Sequence, residues 1–361
     1  MSHRAPFTRS TWSPRRRAGA LAGVLTTLVL AVAAVPAWSY PTSTVQLEGH
    51  GWGHGRGMGQ YGSLGYALES DWPYERILDH FYGGTTFGQA PDQELLVHMV
   101  QGDGLDLLVT SESPFSVAGY AGQIPAGHAV MLRRFGLGGF QLQISTTGCG
   151  GPWTPVTTIA SPAVEVFPPS TSPSSRQQML QACFPEGIRW LRGSLVALDH
   201  GGTARTLNKV NLEGYLRGVV PRESPASWGD LGGGKGMHAL RAQAVAARSY
   251  ARAESLLNGG TGRFPFAHTC NTTLCQVYGG VALQQGPTFL QLEDPRTDRA
   301  IAETAGRIRV MGDGSTARSE FSSSTGGHTA GGQFPAVPDA GDRIAANPNH
   351  LWTTQVPVAA V

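Results

Sequence analysis

Apolar residues recur along this chain with two different spacings. Between 94 and 210 the spacing is short. ELLVHMV (94–100), LDLLVT (105–110), AVMLRRF (129–135), FQLQIS (140–145) and AVEVF (163–167) alternate or run apolar, and turn residues separate them. That pattern predicts β-strands. RWLRGSLVALDHGG (189–202) predicts a hairpin arm leading into the region beyond 210. There the spacing lengthens: Ala239, Leu240, Ala242, Gln243, Ala246, Ala247, Tyr250 and Ala251 follow a helical period. A helix is predicted over 237–257, stopped by Gly259-Gly260. A further helix is expected over 298–304, then a strand, IRVM (308–311), and a turn at 312–315. Upstream, short helices at 63–68 and around 74–82 follow the Gly-rich stretch GHGWGHGRGMGQYG (49–62). No segment repeats. The expected fold is α+β and β-rich. A Gly-rich segment (38–93) and a β-rich region (94–209) precede a core with a long Ala-rich helix (210–361).

The first residues change the compartment. Arg4, Arg9, Arg15, Arg16 and Arg17 precede an apolar run from 18 to 35, and Val35-Pro36-Ala37 fits a small-residue cleavage site. Residues 1–37 are expected to be an export signal; an uncleaved anchor is the alternative reading. Removal alters the charge. The chain has 27 basic and 25 acidic residues. Less the five leader arginines, 22 basic residues face 25 acidic ones, a net charge near −3. No basic patch points to nucleic acid, and nothing beyond the leader points to a membrane. With 49 Gly, 24 Pro and only 14% charged residues, the chain suits a loop-rich exported protein rather than a disordered one. Four cysteines, Cys149, Cys183, Cys270 and Cys275, then suggest disulfides. Cys149–Cys183 is the natural long-range pair, because the other two sit together.

Glu223 carries the most chemical information. It follows Val219-Val220-Pro221 and precedes Pro225-Ala-Ser-Trp228. A carboxyl among apolar residues and prolines is a candidate for a raised pKa, since desolvation disfavours its charged form. A general acid working near neutral pH needs that property. The bland alternative is a glutamate on a surface loop. Glu213 and Asp230 are the other acids close by in sequence. Glu213 reads as structural, and Asp230 lies in a Gly-rich stretch, GDLGGGKG (229–236). Arg241 and Arg248 are seven apart and share a helix face. A guanidinium there suits a carboxylate of substrate, orientation of Glu223, or a structural ion pair. Trp228, Tyr250 and Tyr278 are aromatic candidates for stacking on a ligand, with core packing favoured for Tyr250. No GxSxG elbow occurs, and GHGRGMG lacks the GK[ST] of a phosphate loop. His50 and His54 are separated by glycines that break any helical metal pair, so backbone bends and close packing explain that stretch better.

Four pieces in order resemble the SpoIID/LytB family, named for stage II sporulation protein D and the amidase enhancer LytB. They are YLRGVVPRESPASW (215–228), ALRAQAVAARSYA (239–251), CNTTLCQVYGG (270–280) and FSSSTGGHTAGG (321–332). The resemblance covers the last half to two-thirds of the chain. It implies an exported, cell-wall-associated protein acting on peptidoglycan glycan strands. Glu223 would be the acid of a lytic transglycosylase. The rival implication is a non-catalytic amidase enhancer with a cell-wall amidase as partner. Sporulation is part of the family's name, not something these residues specify. The resemblance also implies a substrate surface at Trp228, Arg241, Arg248, Gln276, Tyr278, Ser323, Ser324, Gly326, Gly327 and His328. No cofactor is required by this chemistry. A structural zinc at His268, Cys270 and Cys275 is implied by some members, and a Cys270–Cys275 disulfide competes with it. Two features depart from the family: Ser224 stands where an apolar residue usually follows the acid, and the Gly-rich 229–236 stretch delays the helix. The GHGRGMGQYG segment (53–62) usually follows the core, so a circular permutation is expected here.

Overall fold

The computed structural model describes residues 43–136 and 138–358, so the expected export signal lies outside the described residues. The chain forms two units. The smaller takes in, of the described residues, 43–47 and 353–358, which hold most of the paired strands Thr44–Gly49 and Trp352–Pro357. The larger unit, 48–352, carries everything else.

Two antiparallel-rich sheets dominate the larger unit. The eight-stranded sheet runs, in spatial order, Thr154–Ile159, Gly139–Ser145, Ala129–Phe135, Leu107–Thr110, Leu180–Phe184, Gly187–Leu191, Ala282–Gln285 and Thr288–Gln291. The seven-stranded sheet runs Thr269–Cys270, Glu94–His98, Thr203–Asn211, Ser194–His200, Ala163–Phe167, Phe115–Val117 and Gln123–Ile124. Its one parallel pairing is Thr269–Cys270 with Glu94–His98. Alternation puts Leu95, Val97, Leu107, Val109, Val164, Val166, Leu195 and Ala197 in one buried cluster fed by both sheets. Each such side chain contributes about 1.5–3 kcal/mol through burial. The five strands expected from the short-period segments between 94 and 167 all form.

One expectation holds only in part. Residues 194–200 are a hairpin arm leading through Thr203–Asn211 into the region beyond 210, but 189–191 belong to a different hairpin. Gly187–Leu191 pairs with Leu180–Phe184 in one sheet, whereas Ser194–His200 pairs with Thr203–Asn211 in the other. The chain changes sheets at Arg192-Gly193. Gly193 has φ 71°, and a Cβ there would lie 2.1 Å from the Lys209 carbonyl oxygen. An apolar run with a single glycine gives no period by which to see the break.

The helices are α1 (Gln60–Glu69), α2 (Tyr74–Phe81), α3 (Leu212–Glu223), α4 (Met237–Ser255), the one-turn α5 (Leu257–Gly260) and α6 (Pro295–Glu303). Helix α4 matches the Ala-rich period, and small residues let it lie deep. Ala244, Ala247 and Ala251 face the sheet cluster, while Ala242, Val245 and Ala246 face Ile77, Leu78 and Phe81 of α2. It ends where Asn258 and Gly259 take positive φ. Helix α3 was hidden in the sequence by Gly214, Gly218 and Pro221. Asn211 caps it, its side chain accepting the Gly214 N–H at 3.2 Å. Pro221 falls in the last turn, where only one helical hydrogen bond is lost. Ser224 then precedes Pro225 and is extended, so the helix stops at Glu223.

The Gly-rich stretch before α1 is a close-packed strap. Met58–Gly59 pairs in parallel with Phe321–Ser322, and Trp52 bridges Ser324. Gly57 shows why glycine is needed: its φ is 68°, and a Cβ would lie 2.0 Å from the Glu320 carbonyl oxygen. Gly57→Ala is expected to cost at least about 2 kcal/mol, through left-handed strain plus a backbone collision. Urea unfolding measures this, and a loss under about 0.5 kcal/mol would contradict the packing described.

Candidate active site

Glu223 ends α3 at a point where three other elements converge. The Val277 N–H donates to its Oε1 at 2.7 Å, and Gln60 Nε2, from the first turn of α1, donates to its Oε2 at 3.4 Å. The same Gln60 nitrogen reaches Gln243 Oε1 on α4, also at 3.4 Å, and Ser224 Oγ donates to that oxygen at 3.3 Å. Ser224 therefore serves Gln243 and makes no bond to the acid. Burial raises the pKa of Glu223 above its ordinary value, and this outweighs the lowering by the Val277 N–H, Gln60 and Arg222. Its position in the last turn adds to the rise, because the negative end of the helix dipole disfavours a carboxylate. Glu223 as a residue is half-buried.

The disulfide loop aims Val277. Cys270 and Cys275 are bonded to each other, as are Cys149 and Cys183. Next along the chain, Gln276 accepts from the Tyr215 hydroxyl at 3.2 Å and donates to the Ala247 carbonyl at 3.3 Å. Tyr278 donates to Asn208 Oδ1 at 2.7 Å. Both side chains are buried, so neither presents an open platform for a sugar, although Tyr278 lines a small cavity beside Val277. They flank Val277 and fix the N–H that meets Glu223. The expected zinc ligands do not fit a metal either. Both sulfurs are spent on the disulfide, and His268 Nδ1 accepts the Leu96 N–H at 3.0 Å. No group of three or more His, Cys, Asp or Glu is placed to hold a metal among the described residues.

Arg241 and Arg248 do share a face of α4, but that face looks at α6 rather than at Glu223. Arg241 Nε donates to Glu303 at 2.7 Å. Arg248 is 1% exposed. It makes a two-pronged ion pair with Glu213, at 2.7 and 2.8 Å, and donates to the carbonyls of Ile301 and Arg307. Both are structural ion pairs, and Glu213 is structural as expected. Trp228 is buried against Tyr61, Leu64, Met237 and Leu240, with ring centres 5.1 Å apart at Tyr61, so it cannot stack on a sugar. Tyr250 is also buried. The exposed aromatic ring next to the FSSSTGG block is Trp52, 63% exposed, a residue not singled out from the sequence. Asp230 pairs with Arg296 at the start of α6.

The FSSSTGG block is braced by two buried carboxylates. Ser324 Oγ lies 2.9 Å from both oxygens of Asp342, which His350 Nδ1 also meets at 2.8 Å. Thr325 Oγ1 donates to Asp339 Oδ2 at 2.8 Å, and the Asp339 N–H donates to the Gly327 carbonyl. A Cβ on Gly326 would lie 2.7 Å from His50 Cβ, so this glycine serves packing with the strap. Ser324 points inward; Ser323 is half-buried and His328 exposed. Asp339 sits under the first turn of α1, where a Cβ on Gly62 would lie 2.2 Å from its carboxylate. This holds the helix that presents Gln60. Burial, with some help from Asp342, pushes the Asp339 carboxyl up to about 7, and its Oδ1 has no partner. Between about pH 4 and 7 the folded state thus keeps a proton that the unfolded chain releases. The stability from this group is full below about pH 4 and lost as pH rises through about 7. Asp339→Asn is expected to flatten that decline and to be the more stable protein at pH 8. Urea midpoints at pH 5 and 8 check this, and parallel pH trends in both proteins would refute it.

A cavity of about 940 Å³ lies at the other end of α3, lined by Asn211, Glu213, Arg217, Arg192, Lys209 and the 168–173 loop. Glu223 does not line it, and its cations are paired with Glu293, Asp298, Glu94 and Glu165. The site is thus defined by one desolvated carboxyl, held by a backbone N–H and an amide, with no second carboxylate bonded to it.

Comparison with known proteins agrees with this region of the chain. Residues 200–310 match the family model described as SpoIID, stage II sporulation protein. An uncharacterized protein of Brachyspira hyodysenteriae (strain ATCC 49526 / WA1) is 34% identical over 137 residues, 38% of this chain and 32% of that protein. The amidase enhancer of Bacillus subtilis (strain 168) is 31% identical over 142 residues, 39% of this chain and 14% of that protein. Over this matched part the chain is similar to the SpoIID/LytB family. The match spans about a third of the first relative's length and about a seventh of the second's. No solved structure matches the chain.

Proposed function

We propose that this protein acts on bacterial cell-wall peptidoglycan as an extracytoplasmic lytic transglycosylase with Glu223 as its single acid and base. The observation that supports the reading most is the state of that carboxyl: desolvated, raised in pKa, on a half-buried residue and without a carboxylate partner among the described residues. Glu223 protonates the glycosidic oxygen between N-acetylmuramic acid and N-acetylglucosamine as the C1–O bond breaks. The resulting carboxylate then takes the proton of the muramyl 6-hydroxyl, whose oxygen closes on C1 to give a 1,6-anhydro end. No water is activated, so one carboxylate suffices, where a hydrolase normally needs two. The two nearest acids in sequence are paired elsewhere, Glu213 with Arg248 and Asp230 with Arg296. The two disulfides suit an oxidising compartment.

The pH profile tests the proton's role. Glu223 must start protonated, so the rate is highest below its raised pKa and falls as pH climbs through it. Turnover of denuded strands, followed against pH, should show this descending limb above the ordinary carboxylate value of 4.5. A rate that rises steadily from about pH 5 to 8 would contradict the assignment. The named relative favours a second reading, in which the chain binds the wall and stimulates a partner amidase without cutting.

The strap at 53–62 is read here as a permuted family element, because it precedes the core yet packs along residues 320–330. A solved structure of a relative carrying this segment after its core should show it against the same block; a different location would end the idea.

A further inference from the structure

A second cavity, about 340 Å³, opens beside Glu223. Its wall includes Val277, whose N–H holds the acid, and Arg222, the acid's neighbour on α3. Arg189, from strand Gly187–Leu191, lines the other side. The two arginines converge on Gly279. Arg189 Nη1 donates to the Gly279 carbonyl at 2.6 Å, and a Cβ on Gly279 would touch the Arg222 stem at 3.4 Å. Arg222 makes no hydrogen bond or ion pair with the described residues. Arg189 has one acid nearby, Glu186 at 3.4 Å, and its Nε is buried with no partner. Leu283, Leu290 and Leu292 form an apolar wall.

Two guanidiniums share one paired carboxylate, Glu186, which leaves net positive charge in a partly desolvated cleft. Burial weighs most against charge on Arg189; Glu186 opposes that and Arg222 adds to it. Such an arrangement costs free energy that a bound anion offsets. Guanidinium forks fit carboxylates, often in two-pronged fashion.

We infer that Arg189 and Arg222 form a carboxylate subsite next to Glu223, occupied by the lactyl carboxylate of N-acetylmuramic acid. The inference rests on the peptidoglycan reading above and deepens it. The apolar wall suits the lactyl methyl. Binding a substrate carboxylate was one of the roles open to Arg241 and Arg248 on α4; Arg222 on α3 and Arg189 on the sheet are the guanidiniums placed beside Glu223. Binding has a consequence for the acid. Arg222 alone favours the ionised form of Glu223, and a carboxylate on Arg222 cancels that pull, so the substrate helps keep its own acid protonated.

Equilibrium binding to the full chain carrying Glu223→Gln, which removes turnover, tests the subsite. The probes are denuded glycan fragments and chitin oligosaccharides of equal length, which lack the lactyl group. The denuded fragments should bind about 10-fold more tightly, in line with a charge-assisted hydrogen bond. Adding Arg222→Gln should abolish that preference, and Arg222→Lys should keep part of it. Arg222 is exposed and unpaired, so these changes leave folding intact. Fragments bearing stem peptides separate the two carboxylate sources. If they too gain affinity through Arg222, a peptide carboxylate occupies the subsite; if they do not, the free lactyl group does. Equal affinity for both sugars, or a preference that Arg222→Gln leaves intact, overturns the subsite and leaves the glycan reading standing. Binding to neither sugar overturns both.

Discussion

Glu223→Gln is expected to lower strand cleavage by about 10²–10⁴-fold, the usual contribution of a positioned acid. The substitution is conservative in structure. A glutamine side-chain oxygen still accepts the Val277 N–H, which now meets Glu223 Oε1 at 2.7 Å. The amide lacks only the transferable proton, so glycan binding and thermal stability should remain near those of the natural chain. The same variant separates the two readings of function. Lost cleavage with retained binding supports the enzyme. Unchanged stimulation of a partner amidase, with no cleavage by either protein, supports the enhancer.

Glu213→Ala is expected to have the largest effect on stability, about 3–5 kcal/mol. It leaves the Arg248 guanidinium buried with only carbonyls and Thr304 for company. That pair ties α3 to α4, while Arg248 also holds the end of α6 and the start of strand Arg307–Met311. Loosening it would move the helix that carries Glu223. The Arg241–Glu303 pair on the same helix face is a useful contrast. Glu303 is more exposed, so Glu303→Ala should cost less than about 1 kcal/mol. Urea unfolding of both variants measures the difference. Equal losses would mean that burial does not set the strength of these pairs.

Much of the fold was legible because it rests on period. The strands at 94–98, 107–110, 129–135, 139–145 and 163–167 and the helix at 237–255 all lie where apolar spacing put them. Helix α3 was not legible: glycines and a proline blur its period, and its stability comes from burial against α4, α6 and the seven-stranded sheet. Glu223 was singled out because an apolar run and two prolines lie close to it in sequence, within a family motif. Its partners were not. Gln60 lies 163 positions away and reaches Glu223 only because the strap pairs with Phe321–Ser322. The GMGQYG motif was noted for its glycines, and the glutamine opening the helix was the available signal. Residue type also misled. Trp228 and Tyr278 are suitable sugar platforms by chemistry, but composition does not tell which side of a loop faces the core. Arg241 and Arg248 share a face, as spacing requires, yet spacing alone cannot say which neighbour that face meets.

Mass spectrometry of denuded glycan strands after incubation with the protein tests the central claim most directly. The account predicts products ending in 1,6-anhydro-N-acetylmuramic acid, formed by the natural chain and absent with Glu223→Gln. Reducing-end products, or anhydro products that persist in the variant, would contradict it.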